Sequence, residues 1–116
     1  MTAVVLVSLA KSTLFIETPQ VAINAPVVVG KPSTPTPEGV YLLEKAYSTH
    51  LKSNILIFRR DDTGVYAIHE NLKNRNRQID SVSTADNRLS GGCIGVRKKD
   101  FDKLWQMKQP IVLQVY

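Results

Sequence analysis

Short runs of β-branched and apolar residues, broken by polar or turn-forming ones, fill the first seventy positions of the chain. Val4 to Leu9 and Thr13 to Glu17 predict two strands joined through Ala10-Lys11-Ser12. An apolar N-terminus could also be a secretion signal. Here no basic segment precedes it, and it breaks at Lys11 and resumes at Leu14-Phe15-Ile16, so a hairpin is expected instead. Val21 to Ile23 and Pro26 to Val29 predict further strands, with Asn24 and Pro26 marking the bends. The stretch Gly30 to Gly39 holds three prolines, which fix φ and remove amide donors, so it reads as a loop.

Val40 to Leu43, Ile55 to Arg59 and Val65 to His69 predict three more strands, the last two joined by the turn Asp61-Asp62-Thr63-Gly64. Asn71 to Leu89 is polar and reads as a long surface loop with a short strand around Ile79 to Val82. Between Lys99 and Met107, the residues Phe101, Leu104 and Trp105 share one helical face, and Pro110 stops that helix. Ile111 to Val115 predicts a closing strand. The pattern is mainly β with one or two short helices, a sandwich or an open barrel.

Length changes this picture only by bounding it: 116 residues imply one domain, 1–116. Apolar residues at 43% and charged residues at 22% exclude a disordered, collagen-like or disulfide-scaffold chain. No apolar run approaches the roughly 20 residues of a membrane-spanning helix. The net charge of +5 and pI near 9.5 admit nucleic-acid binding. However, the basic residues are scattered, and aromatic residues do not interleave with their clusters. A small anionic substrate fits that spread equally well.

One cysteine, Cys93, excludes an internal disulfide. With only His50 and His69 beside it, no zinc-type ligand spacing exists, and no metal or other cofactor is expected. His69 ends the alternating run Val65-Tyr66-Ala67-Ile68, a position from which a side chain can be aimed into a cleft. Cys93 follows two glycines in Leu89-Ser90-Gly91-Gly92-Cys93-Ile94-Gly95. Glycines there permit a tight turn and leave backbone N–H groups uncovered, as an oxyanion hole requires. A thiol beside such amides, with a histidine to take its proton, is equipped for acyl transfer. Against this stands the plain alternative, a cysteine packed as a small hydrophobe and a structural histidine. His50, within Tyr47-Ser48-Thr49-His50, reads as an exposed loop residue.

Ser90-Gly91-Gly92-Cys93-Ile94, preceded by Ile68-His69, resembles the active-site signature of the L,D-transpeptidase (YkuD) family. The proline-rich stretch from Val29 to Tyr41, the helix from Arg97 to Gln106 and the strand from Pro110 to Val115 are similar to the family's loop, helix and closing strand in the same order. The resemblance implies an L,D-transpeptidase catalytic-domain fold and a cysteine enzyme of peptidoglycan. Such an enzyme attacks the bond after meso-diaminopimelate in a tetrapeptide stem, releases D-alanine and forms a thioester. An amine acceptor then gives a cross-link or exchange, and water gives L,D-carboxypeptidase activity.

Carried over by position, Cys93 is the nucleophile and His69 the base, with the backbone N–H groups of Gly91, Gly92 and Cys93 holding the oxyanion. The pairing with His69 implies a low-pKa, accessible thiol. Ser90, Arg88 and Arg97 are the substrate-binding candidates, and Lys98 adds to a basic flank suited to the carboxylates of a stem peptide. The chain departs from the family where Gly91 stands in place of its second histidine and Gly95 in place of an Asn or Arg. The span from His69 to Cys93 is also longer than usual. Family branches delivered as antibacterial effectors share the loss of that histidine, and an immunity protein would then be a partner. Without a visible signal peptide, the implied locations are the cytoplasm, for recycling, or the periplasm by signal-independent delivery. The alternatives from other classes are a basic nucleic-acid-binding β domain and a non-catalytic peptidoglycan-binding pseudoenzyme.

Overall fold

The computed structural model describes residues 2–71 and 88–116. Among these, the chain runs β1 (Ala3–Ser8), β2 (Thr13–Glu17), β3 (Ala22–Pro26), β4 (Val29–Gly30), β5 (Gly39–Leu42), β6 (Glu44–Ser48), β7 (Ser53–Asp61), β8 (Gly64–Glu70), β9 (Arg88–Ser90), β10 (Ile94–Val96), α1 (Lys98–Trp105) and β11 (Ile111–Val115). A five-stranded sheet has the order β3-β2-β1-β11-β5, a four-stranded sheet the order β10-β8-β7-β6, and β4 pairs with β9. Neither large sheet closes on itself, which agrees with the expected sandwich or open barrel.

Alternation builds the core. β1 turns Ala3, Val5 and Val7 inward, β2 adds Leu14 and Ile16, and β11 adds Ile111, Leu113 and Val115. Leu56, Phe58, Ile68, Ile94 and Val96 meet them from the four-stranded sheet, and α1 contributes Phe101 and Leu104. Each such large side chain, fully buried, stabilises by about 1.5–3 kcal/mol. The N-terminal run is a central strand, antiparallel to β2 at Leu6↔Phe15 and parallel to β11 at Val5↔Leu113. Asn24 does not mark a bend: it lies within β3, paired with Phe15. β6 was not expected, because Glu44–Ser48 is polar and lacks a buried residue. The expected strand at 79–82 and most of the expected long loop lie outside the described residues.

Two features of this frame position the site. The four-stranded sheet carries a second apolar cluster on its other face, Ile55, Ile57 and Ala67 with Ala46 packed beside them. That face floors the clefts described below. The proline-rich loop, 31–38, is laced to the end of β9: Lys31 N–H and Thr34 Oγ1 both donate to the Ser90 carbonyl, at 2.9 and 3.2 Å. Its far end is held by Thr36, 2% exposed, whose Oγ1 accepts the buried Gly30 N–H at 2.9 Å.

Thr36→Val keeps the shape and removes that acceptor, leaving a buried N–H unpaired. The expected cost is about 1–3 kcal/mol, seen as a lower urea midpoint at unchanged m-value. An unshifted midpoint would show that the loop does not depend on this bond.

Candidate active site

Strand parity brings the two candidate catalytic side chains together. Side chains two apart on a strand share a face, so Val65, Ala67 and His69 point away from the core that Ile68 enters. β10 runs parallel to β8 with Ile94 beside Ile68 and Gly95 beside His69. Ile94 is buried in the core, so Cys93, one residue earlier, turns to the same face as Ala67 and His69. Both line one cleft of about 380 Å³, whose lining also includes His50, Leu51, Ile55 and Ala67. A second cleft, about 460 Å³, is lined by Ser33, Thr34 and Pro35 of the proline-rich loop and by Thr63 and Tyr66. Cys93, Val65 and Gly91 border both clefts. A groove of similar size, near Gln20, Lys103 and Met107, contains none of the candidate residues.

The tautomer of His69 follows from its partner. Its Nδ1 lies 2.8 Å from the Glu70 carbonyl oxygen, which can only accept. Nδ1 therefore carries the proton, and in the neutral ring Nε2 has the free lone pair. Cys93 is half-buried, and its Sγ lies 3.8 Å from the Val65 carbonyl, a weak S–H donation. Burial pushes the Cys93 thiol up from its ordinary value, with the Ala67 backbone N–H acting in the opposite sense. The expected low-pKa thiol is thus corrected: removal from water outweighs the one nearby amide, and the resting group is a neutral thiol.

The turn before Cys93 is held by Ser90. Ser90 Oγ accepts the Gly92 N–H at 3.1 Å and donates to the Cys93 carbonyl at 2.6 Å. The hydroxyl is buried and engaged on both sides, so Ser90 positions the turn, and it borders the cleft that Cys93 and His69 line. The same bond commits the Gly92 amide. Gly92 has φ +126°, and a Cβ there would lie 2.6 Å from the Tyr66 ring, so only glycine fits. Gly91 is different: it is exposed, and a Cβ there would meet nothing within 4 Å.

The basic candidates do not converge on Cys93. Arg97 Nε donates to Asp100 Oδ2 at 3.2 Å in the first turn of α1, and Lys98 Nζ bonds Asp102 at 2.9 Å. Neither is among the residues that line the two clefts containing Cys93. Arg88 opens β9, but its side chain lies outside what the structure describes. Gly95 has a local reason: any side chain there would collide with the buried Asn71 amide, which fills that volume from the end of β8. Sequence reasoning missed Asn71, and it missed His50 as a cleft residue. The unforeseen hairpin of β6 and β7 is what carries His50 to the cleft. Among the described residues, no cluster of three or more His, Cys, Asp and Glu side chains could hold a metal. No helix among them is long and apolar enough to cross a membrane.

With this geometry in place, comparison with known proteins identifies the class. The family model of the L,D-transpeptidase catalytic domain, YkuD, matches residues 2–112. The chain belongs to the L,D-transpeptidase family. Its fold is similar to an L,D-transpeptidase from Stackebrandtia nassauensis, with 18% identity, TM-score 0.64, and 98% of this chain and 55% of that one covered. It is similar also to L,D-transpeptidase 3 from Mycobacterium tuberculosis in complex with a faropenem-derived adduct, with 17% identity, TM-score 0.64, and 97% and 60% covered. A third likeness is to the Enterococcus faecium L,D-transpeptidase, with 21% identity, TM-score 0.65, and 98% and 49% covered. The chain thus spans about half to three-fifths of the length of these structures. A comparison with curated proteins finds no match.

A raised thiol pKa and an open position predict a distinct labelling profile for Cys93. Iodoacetamide should label the native protein without denaturant, at a rate still rising with pH beyond the free-thiol value of about 8.5. A rate already level at pH 7 would mean a resting thiolate and overturn this account.

Proposed function

We propose that residues 1–116 form one catalytic unit that performs cysteine-dependent acyl transfer or hydrolysis on peptidoglycan tetrapeptide stems, at the bond between meso-diaminopimelate and the terminal D-alanine. One observation carries this reading: His69 and Cys93 share a cleft, and the Glu70 carbonyl leaves His69 Nε2 free to accept a proton. Membership of the L,D-transpeptidase family supports the substrate class. The pseudoenzyme alternative would need this pair to be dispensable.

The steps follow from these groups. When substrate occupies the clefts, the Cys93 proton passes to His69 Nε2, and Sγ attacks the diaminopimelate carbonyl carbon. Generating the thiolate only at this stage suits a thiol that burial keeps neutral at rest. Negative charge develops on the carbonyl oxygen, and the amides of Gly91 and Cys93 are its donors, since Ser90 Oγ occupies that of Gly92. The C–N bond then breaks as His69 returns the proton to the departing D-alanine amine, leaving the diaminopimelyl thioester on Cys93. Water or an amine gives its proton to His69, attacks the thioester carbonyl and displaces the thiolate, which regains the proton.

Incubation with purified disaccharide-tetrapeptide, followed by mass spectrometry, tests this directly. Cys93→Ala should abolish D-alanine release, and His69→Ala should lower it by about 10²–10⁴-fold. The double variant should be no worse than Cys93→Ala, because the two groups act as one unit. Unchanged release in Cys93→Ala, accompanied by a lower melting temperature, would reduce the cysteine to a packing residue.

The acceptor is the second point to test. Position 91 presents no side chain to the cleft, so a bulky amine is held poorly. Hydrolysis, or exchange for small D-amino acids, should therefore exceed cross-linking. Diaminopimelate-to-diaminopimelate dimers as the main product would contradict that preference.

A further inference from the structure

The proton bookkeeping of acyl transfer fixes which side of Cys93 the departing and arriving amines occupy. One base gives a proton to the first and takes one from the second, so both must face His69. His69 borders the smaller cleft and not the one under the proline-rich loop. On the acyl-transfer reading above, on which this inference rests, the smaller cleft holds the terminal D-amino acid and whatever replaces it. The chemical mark of such a residue is a free α-carboxylate next to a small apolar side chain.

The walls of that cleft suit this pair of features unequally. Leu51, Ile55, Val65 and Ala67 form an apolar surface that accepts a methyl group. Donors for a carboxylate are few. The Ser90 hydroxyl is engaged within its turn, and His69 Nδ1–H is engaged by the Glu70 carbonyl, with Nε2 reserved for the moving proton. No Arg or Lys among the described residues lines the cleft. His50 remains, exposed on the turn between β6 and β7, with Ser48 beside it. Gly91, which also borders this cleft, adds no Cβ that would narrow it.

We propose that His50 is the carboxylate-binding residue of a subsite for the terminal D-amino acid, in the cleft that His69 also lines. Its imidazole N–H donates to the α-carboxylate and orients the scissile amide nitrogen toward His69 Nε2. The subsite selects stems with a free C-terminus over capped ones, and it recruits free D-amino acids as exchange partners.

The test compares kcat/KM for D-alanine release from the disaccharide-tetrapeptide with that for D-alaninamide release from its C-terminal carboxamide. The unsubstituted protein should prefer the carboxylate by about 10- to 100-fold, the value of one hydrogen bond to a charged group. In His50→Ala that preference should fall to near unity. His50→Gln, which keeps an N–H donor, should retain most of it. Cys93 alkylation by iodoacetamide should be unchanged in both variants, showing an intact site. Persistence of the preference in His50→Ala, or its absence from the unsubstituted protein, would overturn the subsite. Either result would leave the Cys93–His69 reading standing, provided that release still requires Cys93. Failure of the unsubstituted protein to turn over either peptide would instead remove the acyl-transfer reading, and this inference with it.

Discussion

Ser90 joins the turn that carries Cys93 to the rest of the molecule. Its hydroxyl closes the turn between the Gly92 N–H and the Cys93 carbonyl, while its own carbonyl receives Lys31 N–H and Thr34 Oγ1 from the proline-rich loop. A hydroxyl both donates and accepts, and a carbonyl has two lone pairs, so one residue can anchor two segments far apart in sequence. Cys93 thereby sits at the meeting point of the two clefts, one walled by that loop and the other by the β6–β7 hairpin. A side chain at Gly92 would break this arrangement, since its φ and its contact with Tyr66 both require glycine. The rigidity of the turn matters to chemistry because hydrogen-bond donors stabilise a developing charge only when they are held in place beforehand.

His69 is placed with equal economy, by strand parity and a neighbouring carbonyl. Parallel pairing of β8 with β10 sets Ile68 beside Ile94 in the core, and the period of two then turns His69 and Cys93 outward together. A one-residue slip would bury His69 and expose Ile68, so the apolar core itself enforces the register that puts His69 and Cys93 on one face. Gly95 is pinned on its other side by paired bonds with Val28, at 2.8 Å each way, and the Asn71 amide packs over it. The Glu70 carbonyl orients the ring without adding a charged partner.

Much of this was legible in the chain. Alternation marked β1, β2, β7, β8 and β11, because their inward residues are large and β-branched and meet a partner of the same kind. The same alternation put His69 at the end of a strand, and the double glycine marked the turn before Cys93. β6 escaped notice for a physical reason: it is the outer strand of its sheet, and its residues are half-buried or exposed. Losing β6 meant losing the hairpin, and with it the reason for His50 to line the same cleft as Cys93. The roles of Ser90 and Asn71 were equally hidden. Each depends on a partner, Gly92 and Cys93 for one and Gly95 for the other, whose geometry residue type alone does not carry.

Charge misled most. A net charge of +5 invites a basic cleft, and Arg97 and Lys98 lie only a few residues from Cys93. Nearness in sequence is not nearness in space once a strand intervenes. β10 carries the chain away from the clefts, and both cations then face acidic partners on α1, Asp100 and Asp102. Exposed pairs such as that of Lys98 are screened by solvent and contribute little, so they account for surface charge only. Hydroxyl, imidazole and apolar side chains line the two clefts, with no Arg or Lys among the described residues there, and in such surroundings one hydrogen bond to an anion counts for more than a distant, screened cation.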